Sequence, residues 1–187
     1  MLYPVRAAGD FGNMEIGYLD SHGQIKFRIR AGAACGHYDE FGAVRRDGKV
    51  EVVHEAGETA FRSSADYATG PFFGCFIGQV SLSDEDNRYG LLTKAGKWRV
   101  KPEFYSIDYW DGNNFSAKRE MFEPCSLYQA TGNIVLDEYD GGGGPVSDGL
   151  VMASLQEDKK GRRGFRRLNG DWQIMPRFDG VTHFVQG

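Results

Sequence analysis

The stretch that decides the fold is YGLLTKAGKW, residues 89–98, in which two short apolar segments flank a loop that contains a glycine. Weaker copies of this stretch recur along the chain, and the loop glycine marks each copy: Gly23, Gly57, Gly96, Gly132 and Gly170. Successive glycines are 34, 39, 36 and 38 residues apart. A period of this length is typical of β-repeat proteins, in which each unit stacks on its neighbours to bury an apolar face.

The residues around each glycine predict a β-hairpin. The position five residues before the glycine is always apolar: Tyr18, Val52, Leu91, Leu127 and Phe165. The positions two and four residues after it alternate with polar ones: Ile25 and Phe27, Thr59 and Phe61, Trp98 and Val100, Ile134 and Leu136, Trp172 and Ile174. Alternation with a period of two indicates a strand with one buried face, and glycine accepts the positive φ that short hairpin loops require.

Two further markers complete each unit. Pro102 and Pro176 stand six residues after their glycines, where a proline marks a strand end or a sheet edge. A second glycine stands seventeen residues after the anchor at Gly74, Gly149 and Gly187, and another apolar segment follows it, as in residues 150–153. Each unit is therefore predicted to be an antiparallel meander of three or four strands.

The two ends of the chain predict how the array closes. The fifth unit stops at Gly187, where its next strand is expected, and residues 2–5 form an apolar segment with no hairpin before it. Pairing of the two termini would complete one unit and remove exposed sheet edges. We therefore expect one all-β domain over residues 1–187, a five-bladed propeller-like ring closed by its termini, with an open β-solenoid as the alternative.

At these residues the chain resembles the WG-repeat (KWG-repeat) family of bacterial β-repeat proteins. The pattern is aromatic-Gly, two apolar residues, a loop glycine, and then Pro-x-aromatic-Asp. Residues 89–104 and 163–179 match it best, the units around Gly23 and Gly132 match moderately, and the unit around Gly57 has lost most of it. The resemblance implies a propeller-like fold that binds or scaffolds, and it brings no family-wide catalytic residues.

Composition narrows the class of protein. Glycine accounts for 26 of 187 residues and aromatic residues for 13%, a combination that fits a β protein dense in turns rather than a disordered chain. The formal net charge of −4 argues against general nucleic-acid binding and would suit a basic protein partner.

Location and cofactors are predicted from what the sequence lacks. The three cysteines, Cys35, Cys75 and Cys125, form no close pair, which favours reduced thiols over disulfides or a metal site. No signal peptide and no apolar run of membrane-spanning length is present, so we expect a cytoplasmic protein with no cofactor and no metal.

Two groups of residues are candidate binding elements. The first is an aromatic pair with polar neighbours, expected in a connector between strands: Asp108, Tyr109, Trp110, Asp111 and Asn113. Such a group suits sugar stacking or a protein hot spot, and plain core packing is the alternative. The second is Arg162 and Arg163, within a basic run that begins at Lys159, which would contact an anion or simply lie on a solvated hairpin tip.

Acidic clusters at residues 84–86 and 137–140 and the glycine tract at residues 141–144 are interpreted as connectors and turns. The tract lacks the spacing of a phosphate-binding loop. We therefore expect a non-enzymatic bacterial module that recognises a protein partner, with an inhibitor or immunity-type protein as its narrower form. A lectin-like carbohydrate-binding module is the alternative, and a carbohydrate-active enzyme ranks last.

Overall fold

The computed structural model describes residues 3–8, 14–31, 33–35, 41–54, 58–83, 86–139, 146–155 and 161–181. Within these residues the chain is all-β, with eighteen strands in five antiparallel sheets and no helix. The chain divides into two compact units, Met1–Glu103 and Phe104–Gly187. In every sheet the strands follow one another in chain order, so each sheet is a meander.

Unit 1 holds three sheets. The first has three strands: β1 (Tyr3–Ala8), β2 (Met14–Leu19) and β3 (Ile25–Ala31). The second has four: β4 (Ala33–Cys35), β5 (Phe41–Arg46), β6 (Lys49–His54) and β7 (Thr59–Arg62). The third has β8 (Tyr67–Phe72), β9 (Cys75–Ser81), β10 (Asn87–Thr93) and β11 (Trp98–Phe104), which ends at the boundary between the units.

Unit 2 holds two sheets. The fourth sheet has β12 (Ser106–Trp110), β13 (Asn114–Lys118), β14 (Ser126–Gln129) and β15 (Ile134–Leu136). The fifth has β16 (Leu150–Ser154), β17 (Arg163–Arg167) and β18 (Trp172–Phe178). A single bridge between Ser147 and Leu150 precedes β16.

The predicted hairpin loops are present at the anchor glycines that the structure describes. Gly23, Gly96, Gly132 and Gly170 all have positive φ, between 74° and 92°. In each loop the glycine N–H donates to the carbonyl three residues earlier, and the N–H of that earlier residue donates to the carbonyl four residues on, as between Thr93 and Lys97. This is a three-residue loop with a glycine bulge, which demands a left-handed residue at the anchor. Gly57 lies outside the described residues.

The residue five positions before each anchor is buried in all five sheets, as the alternation predicts: Tyr18, Val52, Leu91 and Leu127 are 0% exposed and Phe165 is 8% exposed. The position two residues after the anchor behaves differently, because Ile25 is 43% and Ile134 52% exposed. Both residues are the first of the last strand of their sheet, next to the hairpin loop, where their side chains remain open to solvent.

Each unit has its own apolar core between sheets. In unit 1 the second and third sheets pack through small and branched side chains around Phe76, with Phe61 and Trp98 at the margin. In unit 2 the fourth and fifth sheets pack through Leu127, Leu136, Val151 and Ala153. Short side chains such as alanine allow the two sheet faces to approach closely.

The apolar segment near the N-terminus belongs to the first sheet. β1 pairs antiparallel with β2, from Tyr3 with Leu19 to Ala8 with Glu15, so this strand belongs to the first sheet. The predicted pairing of the two termini involves the segment that ends at Gly187, and Gly187 lies outside the described residues.

Asp66 links the second and third sheets of unit 1. Lys49 Nζ donates to its Oδ1 at 2.5 Å and the Ser81 N–H donates to its Oδ2 at 2.9 Å. Partial burial raises the pKa of Asp66, but the hydrogen bonds from Lys49 and Ser81 outweigh it, and the pKa lies below its ordinary value of 3.8.

A lowered pKa in the folded state makes Asp66 a source of acid sensitivity. Its contribution to stability is present above the unfolded pKa and is lost as pH falls through the folded pKa, below 3.8. We expect Asp66→Asn to be less stable than wild type near neutral pH and the difference to shrink in acid. Urea unfolding between about pH 7 and about pH 3 measures this. Asp148→Asn, at an exposed turn, is the control, and a constant difference between Asp66→Asn and wild type would contradict the assignment.

Candidate functional site

The structure places the aromatic pair in a strand rather than in a connector. Tyr109 and Trp110 belong to β12, where their backbones pair with Ser116 and Phe115 of β13. The register shifts at Asp108, and the Cys125 thiol donates to Asp108 Oδ2 at 3.3 Å. The side chains of Tyr109 and Trp110 lie outside the described part of the structure, so the predicted aromatic platform stays a prediction.

Asp111 and Asn113 form the turn between β12 and β13. Asp111 Oδ1 accepts hydrogen bonds from the N–H groups of Asn113 at 2.8 Å and Asn114 at 2.6 Å. The Asn113 carbonyl accepts from the Ala130 N–H at 2.7 Å. This is an Asx turn, and these contacts give Asp111 a structural role at the end of the hairpin.

The predicted basic residues lie on the other sheet of unit 2. Arg162 is exposed just before β17, and Arg163, the first residue of β17, donates through Nη1 to Ser154 Oγ at 3.4 Å. Lys159 and Lys160 lie outside the described residues. The two groups of predicted site residues therefore stand on different sheets.

A cleft of about 320 Å³ opens on the fourth sheet, at residues outside the two predicted groups. It is formed by the β13–β14 loop, the first half of β14 and the turn after β15. Its lining residues are Arg119, Glu123, Pro124, Ser126, Tyr128, Ile134, Asp137 and Glu138.

Tyr128, one of the lining residues, belongs to a buried aromatic cluster beside this cleft. Phe104, Phe115 and Tyr128 are all buried, with ring centroids 4.9 to 5.4 Å apart in edge-to-face and stacked pairs. The Arg119 guanidinium lies 5.3 Å from the centroid of Phe104 and 5.8 Å from that of Tyr128. Cation–π attraction holds the arginine against this cluster.

One wall of the cleft is an acidic turn with an unusual backbone. Ser126 Oγ donates to Asp137 Oδ1 at 2.6 Å and accepts from the Glu138 N–H at 3.1 Å. Glu138 has a φ of 42°, which is uncommon outside glycine, and the next residue is fixed by the Tyr139 N–H donating to the Cys125 carbonyl at 2.9 Å. These bonds hold Asp137 and Glu138 in a defined position at the cleft.

This turn departs from the pattern of the third and fifth sheets. There the residue six before the anchor is glycine and the residue six after it is proline: Gly90 with Pro102, and Gly164 with Pro176. In the fourth sheet the same offsets fall on Ser126 and Glu138. A serine hydroxyl can bind the N–H of Glu138, which a proline would lack. The cleft therefore forms where this sheet has lost the glycine–proline pair.

The β13–β14 loop projects an apolar pair beside the cleft. The Glu123 N–H donates to the Glu120 carbonyl at 3.3 Å, which puts Met121 and Phe122 at the centre of a β-turn. Met121 is 51% exposed and Phe122 is 94% exposed. Turn centres favour polar residues or glycine. Two large apolar residues between charged neighbours are therefore a pattern in the sequence that could have indicated this exposed pair.

The described lining residues carry more acidic than basic groups. Among the described lining residues one arginine stands beside three carboxylates, those of Glu123, Asp137 and Glu138, so this part of the cleft carries a surplus of acidic groups. Among the described residues no group of three or more His, Cys, Asp and Glu side chains is arranged to hold a metal ion. In the same part of the chain no helix has the length and hydropathy to cross a bilayer.

Comparison with protein-family models and with curated proteins finds no match for this chain. The resemblance to the WG-repeat family therefore stays a prediction.

Proposed function

We propose that this chain is a non-enzymatic binding module that recognises a protein partner through the turn of residues 120–123 and the cleft beside it. The observation that carries the proposal is the 94% exposure of Phe122 at a turn centre. Nothing within the described chain packs on this ring, so the fold gains little from it. A partner that covers the ring would remove its apolar surface from water.

The energy available from this side chain is substantial. Removing a phenylalanine from water contributes about 2 kcal/mol, which is roughly a thirtyfold change in affinity. Aromatic side chains dominate the residues that carry protein–protein binding energy. Met121, which is half exposed, widens the apolar contact, and its flexible side chain can adapt its shape to the partner.

The support beneath the turn favours recognition of a fixed surface. The buried rings of Phe104, Phe115 and Tyr128 lie under Arg119, at the start of the loop, and the bonds of Ser126 fix the acidic wall. A binding element that is already ordered loses less conformational entropy on association.

For the scaffold we propose the five-bladed ring that the spacing of the glycines predicts, with an open β-solenoid as the alternative. Two observations support a regular array: the five meanders follow one another in chain order, and the same position before each anchor is buried. In the ring, residues 181–187 would add a strand to the first sheet, beside β1.

The resemblance to the bacterial WG-repeat family and the acidic net charge favour an inhibitor or immunity-type protein acting in the cytoplasm. Such a protein binds a toxin or an enzyme and blocks it without chemistry of its own. The narrower proposal depends on the partner that the following experiment identifies.

Phe122→Ala is expected to abolish partner capture while the fold is kept. The tagged chain serves as bait in native lysate of the source organism, and bound proteins are quantified by mass spectrometry. Leu82→Ala is the matched control, since Leu82 is 65% exposed in a loop of the third sheet. We expect the control to retain the partner and Phe122→Ala to lose it about thirtyfold.

Two outcomes would count against the proposal. Equal capture by wild type and Phe122→Ala would place the binding element elsewhere on the chain. A wild-type bait that holds no protein but binds a glycan array would favour the lectin-like alternative, with Tyr109 and Trp110 as the first residues to replace.

A further inference from the structure

The carboxylates around Phe122 are available to a partner. Glu123 lies directly after Phe122, and both Glu123 and Glu138 line the cleft with exposed side chains. In the part of the chain that the structure describes, neither of these two side chains makes a hydrogen bond or an ion pair. Asp137 Oδ1 accepts from Ser126 Oγ at 2.6 Å and from the Glu138 N–H at 3.1 Å, and within the described residues Oδ2 accepts no hydrogen bond.

Among the described residues that line the cleft, Arg119 is the single cation, and it does not neutralise this arrangement. Arg119 lies with its guanidinium over the rings of Phe104 and Tyr128. One positive charge against three carboxylates leaves a surplus of negative charge. An anionic ligand would meet repulsion from this surplus, whereas a cationic side chain would gain both charge and hydrogen-bond acceptors.

We infer that the partner presents a basic and apolar segment, and this inference rests on the proposed function. A lysine or arginine of the segment enters the cleft between Glu123, Asp137 and Glu138. An apolar pocket of the partner covers Phe122 and Met121. Charge complementarity selects this partner, because the apolar anchor and the acidic cleft are adjacent in sequence and share Glu123 and the loop that carries it.

The carboxylates and the Phe122 ring are expected to affect different rates of binding. The carboxylates are exposed, so they attract the partner over distance and accelerate its association in a way that salt weakens. Phe122 is buried only in the complex, so it slows dissociation and depends little on salt. Removing charge and removing the ring therefore give different signatures.

The test is a selection of random twelve-residue peptides displayed on phage against the intact chain. We expect the enriched peptides to combine lysine or arginine with aliphatic or aromatic residues. Synthetic copies of them should bind the wild-type chain, and raising NaCl from about 50 mM to about 300 mM should weaken binding about tenfold.

Two double variants with equal changes of net charge make the test specific. E123Q/E138Q removes two carboxylates of the cleft and keeps their shape. D148N/D179N removes two exposed carboxylates elsewhere in unit 2, and asparagine tolerates the φ of 51° at Asp148. Binding of the selected peptides is expected to fall at least tenfold in the first variant and to stay within twofold of wild type in the second.

The inference is overturned if no peptide is enriched, if the enriched peptides are neutral or acidic, or if both double variants bind equally. Capture of a lysate protein by wild type and by E123Q/E138Q, with its loss in Phe122→Ala, would support the proposed function and exclude a basic partner segment. If Phe122→Ala and E123Q/E138Q both still capture the lysate protein, the proposed function and the basic partner are both excluded.

Discussion

Gly164→Ala and Gly90→Ala are expected to destabilise the protein by about 3 kcal/mol each, while the equivalent Gly17→Ala is tolerated. A Cβ on Gly164 would lie 2.3 Å from the Ile174 carbonyl oxygen and 2.7 Å from the Pro176 nitrogen. A Cβ on Gly90 would lie 2.5 Å from the Val100 carbonyl oxygen. These neighbours are backbone atoms of the adjacent strand, which cannot rotate away as a flexible side chain could.

The collision follows from the proline in the neighbouring strand. Between Arg163 and Phe165 of β17, the pairing with β18 skips from Phe178 to Ile174, so the residues around Pro176 bulge across Gly164. Proline has no N–H for the ladder, and the bulge brings its backbone over the α-carbon of the glycine. The glycine before the hairpin and the proline after it are therefore two parts of one contact.

Gly17 is the matched control, because it stands at the same offset from its anchor. Its Cβ would lie 3.5 Å from Val5 Cγ2, an ordinary contact, and Ile29 takes the place of the proline. Gly17→Ala should therefore change the free energy of unfolding by less than about 1 kcal/mol. Urea unfolding followed by circular dichroism measures all three variants. Equal effects at Gly17 and Gly164 would contradict the steric explanation.

The hairpins and their buried face could be predicted from the sequence because they depend on local rules. A loop glycine with positive φ and an apolar residue five positions earlier are set by the hairpin itself. The prediction failed at Ile25 and Ile134, since the exposure of a strand face depends on what packs against it, which a local pattern does not specify. It also placed Tyr109 and Trp110 in a connector, although their backbones pair with β13.

The cleft could not be predicted in the same way. The sequence predicts a turn at residues 137–140, and residues 137–139, the described part, do bend, with Glu138 in the left-handed region. That the turn faces Arg119 and the β13–β14 loop depends on the pairing of β13 with β14 and on the bond between Ser126 and Asp137. Such contacts join residues too far apart in sequence for a local pattern to reveal.

Removing residues 182–187 is expected to lower the melting temperature by roughly 6–12 °C if the proposed ring is right. The first sheet has three described strands, whereas the second, third and fourth have four, and in the proposed ring residues 182–187 pair at the edge beside β1. Phe184 stands three residues before Gly187, as Val146 stands three before Gly149. Val146 packs on the core of unit 2, so the same offset predicts a buried ring at Phe184.

The expected loss is the sum of one buried aromatic side chain and the hydrogen bonds of one strand, about 3 kcal/mol. Phe184→Ser should reproduce most of it, and Gln186→Ser, a change from polar to polar, should have little effect. Removing residues 1–6 would not separate the two architectures, because β1 already pairs with β2 and its loss weakens the first sheet in either case. An open β-solenoid does not pair residues 182–187 with the first sheet, so a truncated chain that melts with the wild type would exclude the ring and favour the open array.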